Sequence, residues 1–166
     1  GSIEYDSHVE TITVTLTDNQ SGQITTSPDK LGAQVSFENK YTSNGDVDLT
    51  ALKVMTGRKL GDNEKYTFKL TDMAGNVLDS KTNEVGGTVS FKKQYFTQAD
   101  MVDGNGKPVA TKTVQYKIYE EVPEDAENAD GVKYSEATDE QKAAGGFKVG
   151  SIEYDSHVET ITVTLT

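Results

Sequence analysis

Alternating hydrophobic and polar residues near the start of the chain predict a β-strand. Ile12, Val14 and Leu16 alternate with threonines over residues 11–17, and this two-residue period places the apolar side chains on one face of an extended chain. The same seventeen residues, GSIEYDSHVETITVTLT, form residues 1–17 and again residues 150–166. One domain normally has room for such a strand once. The chain is therefore either cut out of phase from a tandem array or a circular permutant with an overlap.

Further stretches with the period of a strand are spread along the whole chain, separated by polar turn clusters. The predicted strands cover residues 23–26, 33–41, 48–56, 65–71, 77–80, 88–91 and 112–122. Residues 124–146 are predicted to form an exposed acidic loop, with one short helix over 137–144. No predicted helix is long enough to form a layer, so the pattern predicts an all-β, immunoglobulin-like β-sandwich.

The predicted strand over residues 48–56 is apolar on both faces. Leu49, Ala51 and Met55 share one face with Lys53, and Leu52 and Val54 lie on the other. A strand with two apolar faces is typical of a central strand that is covered on both sides. We therefore expect this strand to lie in the middle of a sheet.

Three strands each carry one reactive polar side chain in phase with hydrophobic residues. These are Asn39 between Phe37 and Tyr41, Lys53 between Ala51 and Met55, and Glu120 after Tyr116 and Ile118. A single residue of this kind is more often a side chain that reaches solvent at a strand end. Three such residues predict a buried polar site, because an amine or a carboxylate in an apolar interior must be paired or neutral.

An amine, a carboxylic acid and a carboxamide buried together can form an amide bond. Burial favours the neutral forms of the amine and of the acid. A neutral amine is a nucleophile, and a protonated carboxyl group can polarise an amide and pass protons to departing ammonia. We therefore expect Lys53 to attack the Asn39 carboxamide with Glu120 as the acid and proton shuttle. The reaction turns over once, so the chain is not expected to be an enzyme.

Composition narrows the classes of partner and cofactor. The net charge of −11 argues against nucleic acid and anionic membranes, which basic surfaces bind. The chain has no cysteine, so it has no disulfide, no thiolate nucleophile and no zinc site of the usual kind. Residues 103–106 resemble a calcium loop only faintly, and no cofactor is expected. The sequence contains no signal peptide or apolar run of membrane-spanning length, as expected of an excised piece or a soluble protein.

Several motifs together resemble one family of surface domains. They are LTALKVMTGRKL, YTFKL, AGNVLDSKTNEVGGTVSF, YFTQADM, YKIYEE and VSFENKY. They look like the isopeptide-linkage domain of Gram-positive pilins and surface adhesins, of the streptococcal pilin and Cna B-like type. The resemblance implies a Cna B-like sandwich in which Lys53 precedes a Thr-Gly pair, Glu120 ends a Y-x-I-x-E strand and Asn39 lies in a closing F-x-N-x-Y strand. It also implies an extracellular, cell-wall location.

The order of these residues differs from the order in the family, which is lysine, acid, asparagine. Here residues 1–41 look like the closing strands of a preceding repeat or a permuted N-terminus, residues 42–47 like a linker, and residues 48–166 like the main body. The strand order is therefore either permuted within the chain or completed by exchange between molecules. The resemblance implies that the lysine strand and the asparagine strand are parallel neighbours, so a connection within one chain must return along the length of a strand. Residues 42–48 span at most about 23 Å, so closure within one chain would be taut. We expect neighbouring copies of the domain to be the partners, head to tail.

Two other functions compete with a structural module. An adhesin domain would bind a host protein or glycan through loops such as residues 124–146. A glycosidase would need two carboxylates that flank one bond, whereas Glu120 and Glu121 are predicted to point to opposite faces. His8 and His157 belong to no recognisable triad and are expected at solvent-facing strand ends.

Overall fold

The computed structural model describes residues 1–166, which divide into two compact units, Gly1–Asn44 and Gly45–Thr166. The boundary falls inside the predicted linker at residues 42–47. That residues 1–41 are the closing strands of a preceding repeat stays a prediction. None of the helices is long and apolar enough to cross a membrane.

The first unit consists of two small antiparallel strand pairs. Strand β1 (Ser2–Glu4) pairs with β4 (Lys40–Thr42), and β2 (Val14–Asp18) pairs with β3 (Ile24–Pro28). A 3-10 helix at Gly32–Gln34 connects β3 to β4. The large apolar side chains of the first unit remain mostly exposed: Val14 is 50% exposed and Leu16 is 66% exposed. This unit therefore buries almost no core of its own.

The second unit contains ten strands and one short α-helix. The strands are β5 (Asn44–Val47), β6 (Thr50–Leu52), β7 (Thr67–Thr71), β8 (Val77–Thr82), β9 (Thr88–Ser90), β10 (Gln94–Thr97), β11 (Lys112–Glu120), β12 (Lys148–Val149), β13 (Ile152–Glu153) and β14 (Val158–Leu165). Two 3-10 helices lie at Gln98–Asp100 and Tyr134–Glu136, and helix α1 is Asp139–Ala144. The largest sheet is antiparallel with the order β14-β11-β7-β8, and smaller pairs are β6-β9, β5-β10 and β12-β13.

The core of the second unit lies between the four-stranded sheet and the β6-β9 pair. Alternate residues of β7 and β11, such as Phe68, Leu70 and Ile118, are buried together with Leu49 and Val89 from the other layer. This is the two-residue period of a sheet with one covered face. The all-β architecture confirms the predicted fold class, while the permuted or exchanged strand order stays a prediction.

The prediction that residues 48–56 form a central strand covered on both faces was wrong. Only Thr50–Leu52 form a strand, and it pairs with β9 alone. The face that carries Leu49, Ala51 and Lys53 is covered as predicted, but Leu52 and Val54 are exposed at 63% and 64%. Apolar residues on both faces of a strand show that each face is suitable for burial. They do not show that a second layer is present to cover each face.

The predicted strand over residues 33–41 was also wrong over most of its length. Only Lys40–Thr42 are in a strand, and a 3-10 helix occupies Gly32–Gln34. Phe37 and Tyr41, whose side chains were expected to face a core, are 60% and 54% exposed. The alternating pattern needs an apolar surface to pack against, and the first unit offers none.

Residues 124–146 are more ordered than the exposed loop that the sequence predicted. Ala126 and Phe147 are fully buried and, with Val122, form a second apolar cluster against which Tyr134 packs. The predicted helix is present at Asp139–Ala144, where the Thr138 hydroxyl accepts a hydrogen bond from the Gln141 backbone N–H as an N-cap. A few apolar residues thus organise an otherwise acidic segment.

Candidate functional site

Lys53 lies at the end of the strand pair formed by β6 and β9. Its backbone N–H donates to the Gly87 carbonyl at 2.8 Å, which continues the pairing one residue beyond β6. Gly87 has a φ of +100°, and a Cβ at this position would lie 2.2 Å from the Lys53 carbonyl oxygen. Glycine is therefore required for this close approach. The approach fixes the backbone of Lys53, whose side chain is buried, with 7% of it exposed.

Glu120 ends β11 on the central sheet. It is opposite Phe68 of β7, and its side chain is buried with those of Tyr116 and Ile118. The next residue, Glu121, points to the other face, where its exposed carboxylate lies 3.5 Å from the Lys69 ammonium. The prediction that the two neighbouring glutamates face opposite sides is confirmed. They cannot act together on one bond.

The two buried side chains form a direct ion pair. The Lys53 Nζ donates to both carboxylate oxygens of Glu120, at 2.9 Å and 2.7 Å. The same Nζ lies 4.2 Å from the centre of the Tyr66 ring, and the Tyr154 ring meets Tyr66 edge-on at a centroid distance of 5.7 Å. The amine thus has two charge-assisted hydrogen bonds and an aromatic face around it.

Burial dominates the electrostatics of the pair. Removal from water raises the pKa of Glu120, and the hydrogen bonds and charge of Lys53 oppose this rise without cancelling it. Burial also raises the pKa of Tyr154 and, with the nearby Glu64 charge, that of Tyr66. A raised carboxyl pKa favours the protonated acid, which is the form that can donate a proton to a neighbouring amide.

An open groove of about 540 Å³ lies beside the ion pair, entirely within the second unit. Strand β6, Lys53 and Glu120 line one part of it, and Asp155, His157 and Ile161 line another. A third group bound in the groove would therefore lie beside the Lys53–Glu120 pair. Sequence reasoning missed it because the edge of a sheet that lacks a neighbour leaves no mark in a local pattern.

Asn39 is held by other residues, in the first unit. Its Oδ1 accepts a hydrogen bond from the Asp6 backbone N–H at 3.1 Å, and the Asp6 carboxylate accepts one from the Glu38 N–H at 2.9 Å. The His8 ring stacks on Phe37 with a centroid distance of 4.8 Å. The structure thus pairs Lys53 with Glu120 in one unit and places Asn39 in the other. Contact between Asn39 and Lys53 stays a prediction.

Each copy of the repeated segment carries an Asp-x-His-x-Glu run whose side chains interact. His157 Nδ1 lies 2.5 Å from the Asp155 carboxylate, and its Nε2 lies 3.3 Å from Glu159. His8 makes the equivalent pairs with Asp6 and Glu10. Both imidazoles are solvent-exposed, as predicted, and His157 directly precedes β14, but His8 lies between β1 and β2 and not at a strand end. The sequence prediction did not foresee that His157 and Asp155 would also line the groove, although the run of alternating charges next to a strand was visible.

We expect the pKa of His157 to lie above the usual value for histidine. The hydrogen bond with Asp155 is the main cause, and the Asp155 and Glu159 charges add to it. A raised folded-state pKa stabilises the fold while the imidazole is protonated, and this contribution is lost as the pH rises through the folded pKa. NMR titration of the imidazole should show the shift, and Asp155→Asn should reverse most of it. An unshifted His157 in the otherwise intact protein would contradict the pairing.

Residues 2–42 match the family model FctA, described as a Spy0128-like isopeptide-containing domain. The match supports a Gram-positive pilin isopeptide domain, in agreement with the resemblance in the motifs. It includes Asn39 and ends before Lys53. No curated protein and no solved structure matches the chain significantly.

Proposed function

We propose that the chain is a structural stalk or pilin-like module of a Gram-positive cell-surface protein, stabilised by an isopeptide bond between Lys53 and Asn39 that Glu120 promotes. The observation that carries the proposal is the buried Lys53–Glu120 pair beside an open groove. The match of the Asn39 segment to isopeptide-containing pilin domains supports it. The bond forms within one chain or between neighbouring chains.

The chemistry needs only the three side chains. A proton passes from the Lys53 ammonium to the Glu120 carboxylate, which gives a neutral amine and a neutral acid. The amine Nζ attacks the Asn39 Cγ, the acid protonates the amide nitrogen as the Cγ–N bond breaks, and the carboxylate so regenerated takes the second proton from Nζ. One Nζ–Cγ bond forms and one ammonia leaves. Since Lys53 and Asn39 are consumed, this is a single-turnover reaction and not enzyme turnover.

A covalent bond between the lysine strand and the asparagine strand would serve a protein under tension. Pulling force then passes through the bond and bypasses the rest of the sandwich. In addition, closing a loop of the unfolded chain stabilises a domain by about 2–4 kcal/mol for disulfides of typical size. An amide bond gives a similar restraint without cysteine and does not depend on redox conditions. These properties suit an extracellular cell-wall location.

We expect the purified protein to have an intact mass that is lower than the sequence mass by one ammonia for each bond formed. Lys53→Ala removes the nucleophile, so its mass should equal the mass calculated from its sequence. Tandem mass spectrometry should identify a branched peptide that joins Lys53 to Asn39. Lys69→Ala is the matched control, since this lysine pairs with Glu121 on the other face of the sheet, away from the groove. A folded wild-type protein with the full sequence mass would count against the proposal.

A further inference from the structure

The two copies of the repeated segment are folded against different partners. In the first unit, Ile3 and Glu4 pair with Tyr41 and Lys40. In the second unit, the equivalent Ile152 pairs with Val149, and residues 158–165 pair along almost the whole of β11. Because the sequences are identical, the difference comes only from what each copy has available to pair with.

The first copy binds the Asn39 segment. The Asp6 N–H donates to the Asn39 Oδ1 at 3.1 Å, the Asp6 carboxylate accepts from the Glu38 N–H at 2.9 Å, and His8 stacks on Phe37. These contacts hold three consecutive residues of the predicted closing strand. The residues of the first copy that make these contacts, Asp6 and His8, lie between β1 and β2.

The second copy binds the Lys53–Glu120 pair. Asp155 and His157, the counterparts of Asp6 and His8, line the groove together with Lys53 and Glu120. A hydrogen bond from the Asp155 backbone reaches Glu120, and Tyr154 packs edge-on against the Tyr66 ring that covers the Lys53 amine. The same short stretch that holds the amide in one unit therefore holds the acid and the amine in the other.

We propose that residues 1–17 of one molecule replace residues 150–166 in the groove of a second copy of this chain. A single copy of the segment then serves both halves of the site, and Asp6, which occupies the position of Asp155, brings the neighbouring Asn39 side chain to Glu120 and Lys53. The covalent step at this place rests on the proposed function. The exchange itself does not.

The energetics favour such an exchange once two molecules meet. The incoming and the leaving strands are identical, so the pairing with β11 is lost and regained without a net change. The incoming copy brings residues 18–41 with it, and these fill the groove and cover exposed apolar side chains such as Phe37 and Leu52. In the receiving molecule, Gly150 stands at the start of the leaving segment with a φ of +60°, a conformation that glycine enters and leaves freely.

Exchange between molecules also avoids the reach that closure within one chain requires. Residues 42–48 can span about 23 Å, which is close to the length of one strand. An asparagine strand parallel to the lysine strand in the same chain would stretch this connection fully. A strand supplied by a second molecule has no such connection, and because the donor and acceptor surfaces differ, repetition gives open head-to-tail chains.

The test mixes two full-length variants that can each do half of the reaction. Lys53→Ala can donate Asn39 but has no amine, and Asn39→Ala can accept but has no amide. We expect neither variant alone to form a covalent product and the mixture to form one two-chain species on denaturing electrophoresis, without a ladder. Light scattering of the same mixture reports association even if no bond forms.

The duplication supplies a matched control. Ile12→Asp in the donor should abolish the two-chain species, whereas Ile161→Asp in the acceptor should leave it or increase it, because the second copy is the one displaced. Equal losses from the two substitutions, or a mixture that stays monomeric by light scattering, would overturn the inference. A two-chain species without a covalent bond, with the same dependence on Ile12, would support the exchange and contradict the proposed cross-link.

Hydrogen exchange of the unmodified protein gives a readout that needs no variant. Peptides that extend past Thr17 report the first copy, and peptides that begin before Gly150 report the second. Assembly should protect the amides of residues 9–16 and expose those of residues 158–165. Protection that stays on residues 158–165 in the assembled protein would overturn the inference.

Discussion

Replacing Glu120 by alanine is expected to lower the free energy of unfolding of the second unit by about 3–5 kcal/mol. Both oxygens of this carboxylate accept hydrogen bonds from the Lys53 Nζ in a buried site. Removal of one partner of a buried ion pair leaves the other charge without compensation, which costs more than the pair itself contributes. The measurement is chemical denaturation in an Asn39→Ala background, so that no cross-link contributes to stability.

Glu120→Ala should also abolish the cross-link in the otherwise unmodified protein. Without Glu120, no carboxylate remains to take the amine proton and no carboxylic acid remains to protonate the leaving nitrogen. Glu121→Ala is the matched control on the next residue. Its carboxylate is half exposed and lies 3.5 Å from Lys69, so its loss should cost at most about 1 kcal/mol and leave the cross-link intact. If the two substitutions had equal effects on stability and on the ammonia loss, Glu120 would have no special part in the site.

The sequence was sufficient to predict that Lys53 and Glu120 are buried, because both belong to segments that have a core to pack against. In β11 and around β6 the two-residue period follows the burial observed in the structure. The same period failed at Phe37, Asn39 and Tyr41, which are exposed and mostly outside a strand. A pattern specifies which side chains would be buried together, but a neighbouring layer must be present before burial occurs.

The repeated segment shows the same limit within a single chain. Residues 158–165 form a continuous strand on β11, whereas of the equivalent residues 9–16 in the first copy only those from Val14 onward are in a strand, which pairs with β3. Local propensity is identical in the two copies, so tertiary contacts decide the difference. The groove beside Lys53 escaped prediction for the same reason, since its lining residues come from segments far apart in the sequence.

Phe147→Ala is the second substitution that is expected to lower the free energy of unfolding strongly. Phe147 is fully buried in the smaller apolar cluster, and its ring meets Tyr134 edge-on at a centroid distance of 5.0 Å. Loss of a buried phenylalanine side chain costs about 3–5 kcal/mol because the surroundings close only partly over the cavity. Chemical denaturation of the variant, again in the Asn39→Ala background, gives this cost directly.

Phe147→Ala should affect the cross-link as well as stability. The Phe147 carbonyl accepts a hydrogen bond from the Tyr154 N–H at 2.9 Å, and Tyr154 packs on the ring that covers the Lys53 amine. In the Phe147→Ala variant, residue 147 holds the position of Tyr154 less firmly, whichever copy of the repeated segment occupies it, so the site beside the amine is less ordered. The ammonia loss should therefore proceed more slowly in a time course followed by intact mass. Tyr95→Ala, at a side chain that is 71% exposed, should change stability by no more than about 0.5 kcal/mol and leave the rate unchanged. A Phe147→Ala protein that is destabilised but cross-links at the normal rate would show that this cluster supports the fold alone and does not position the site.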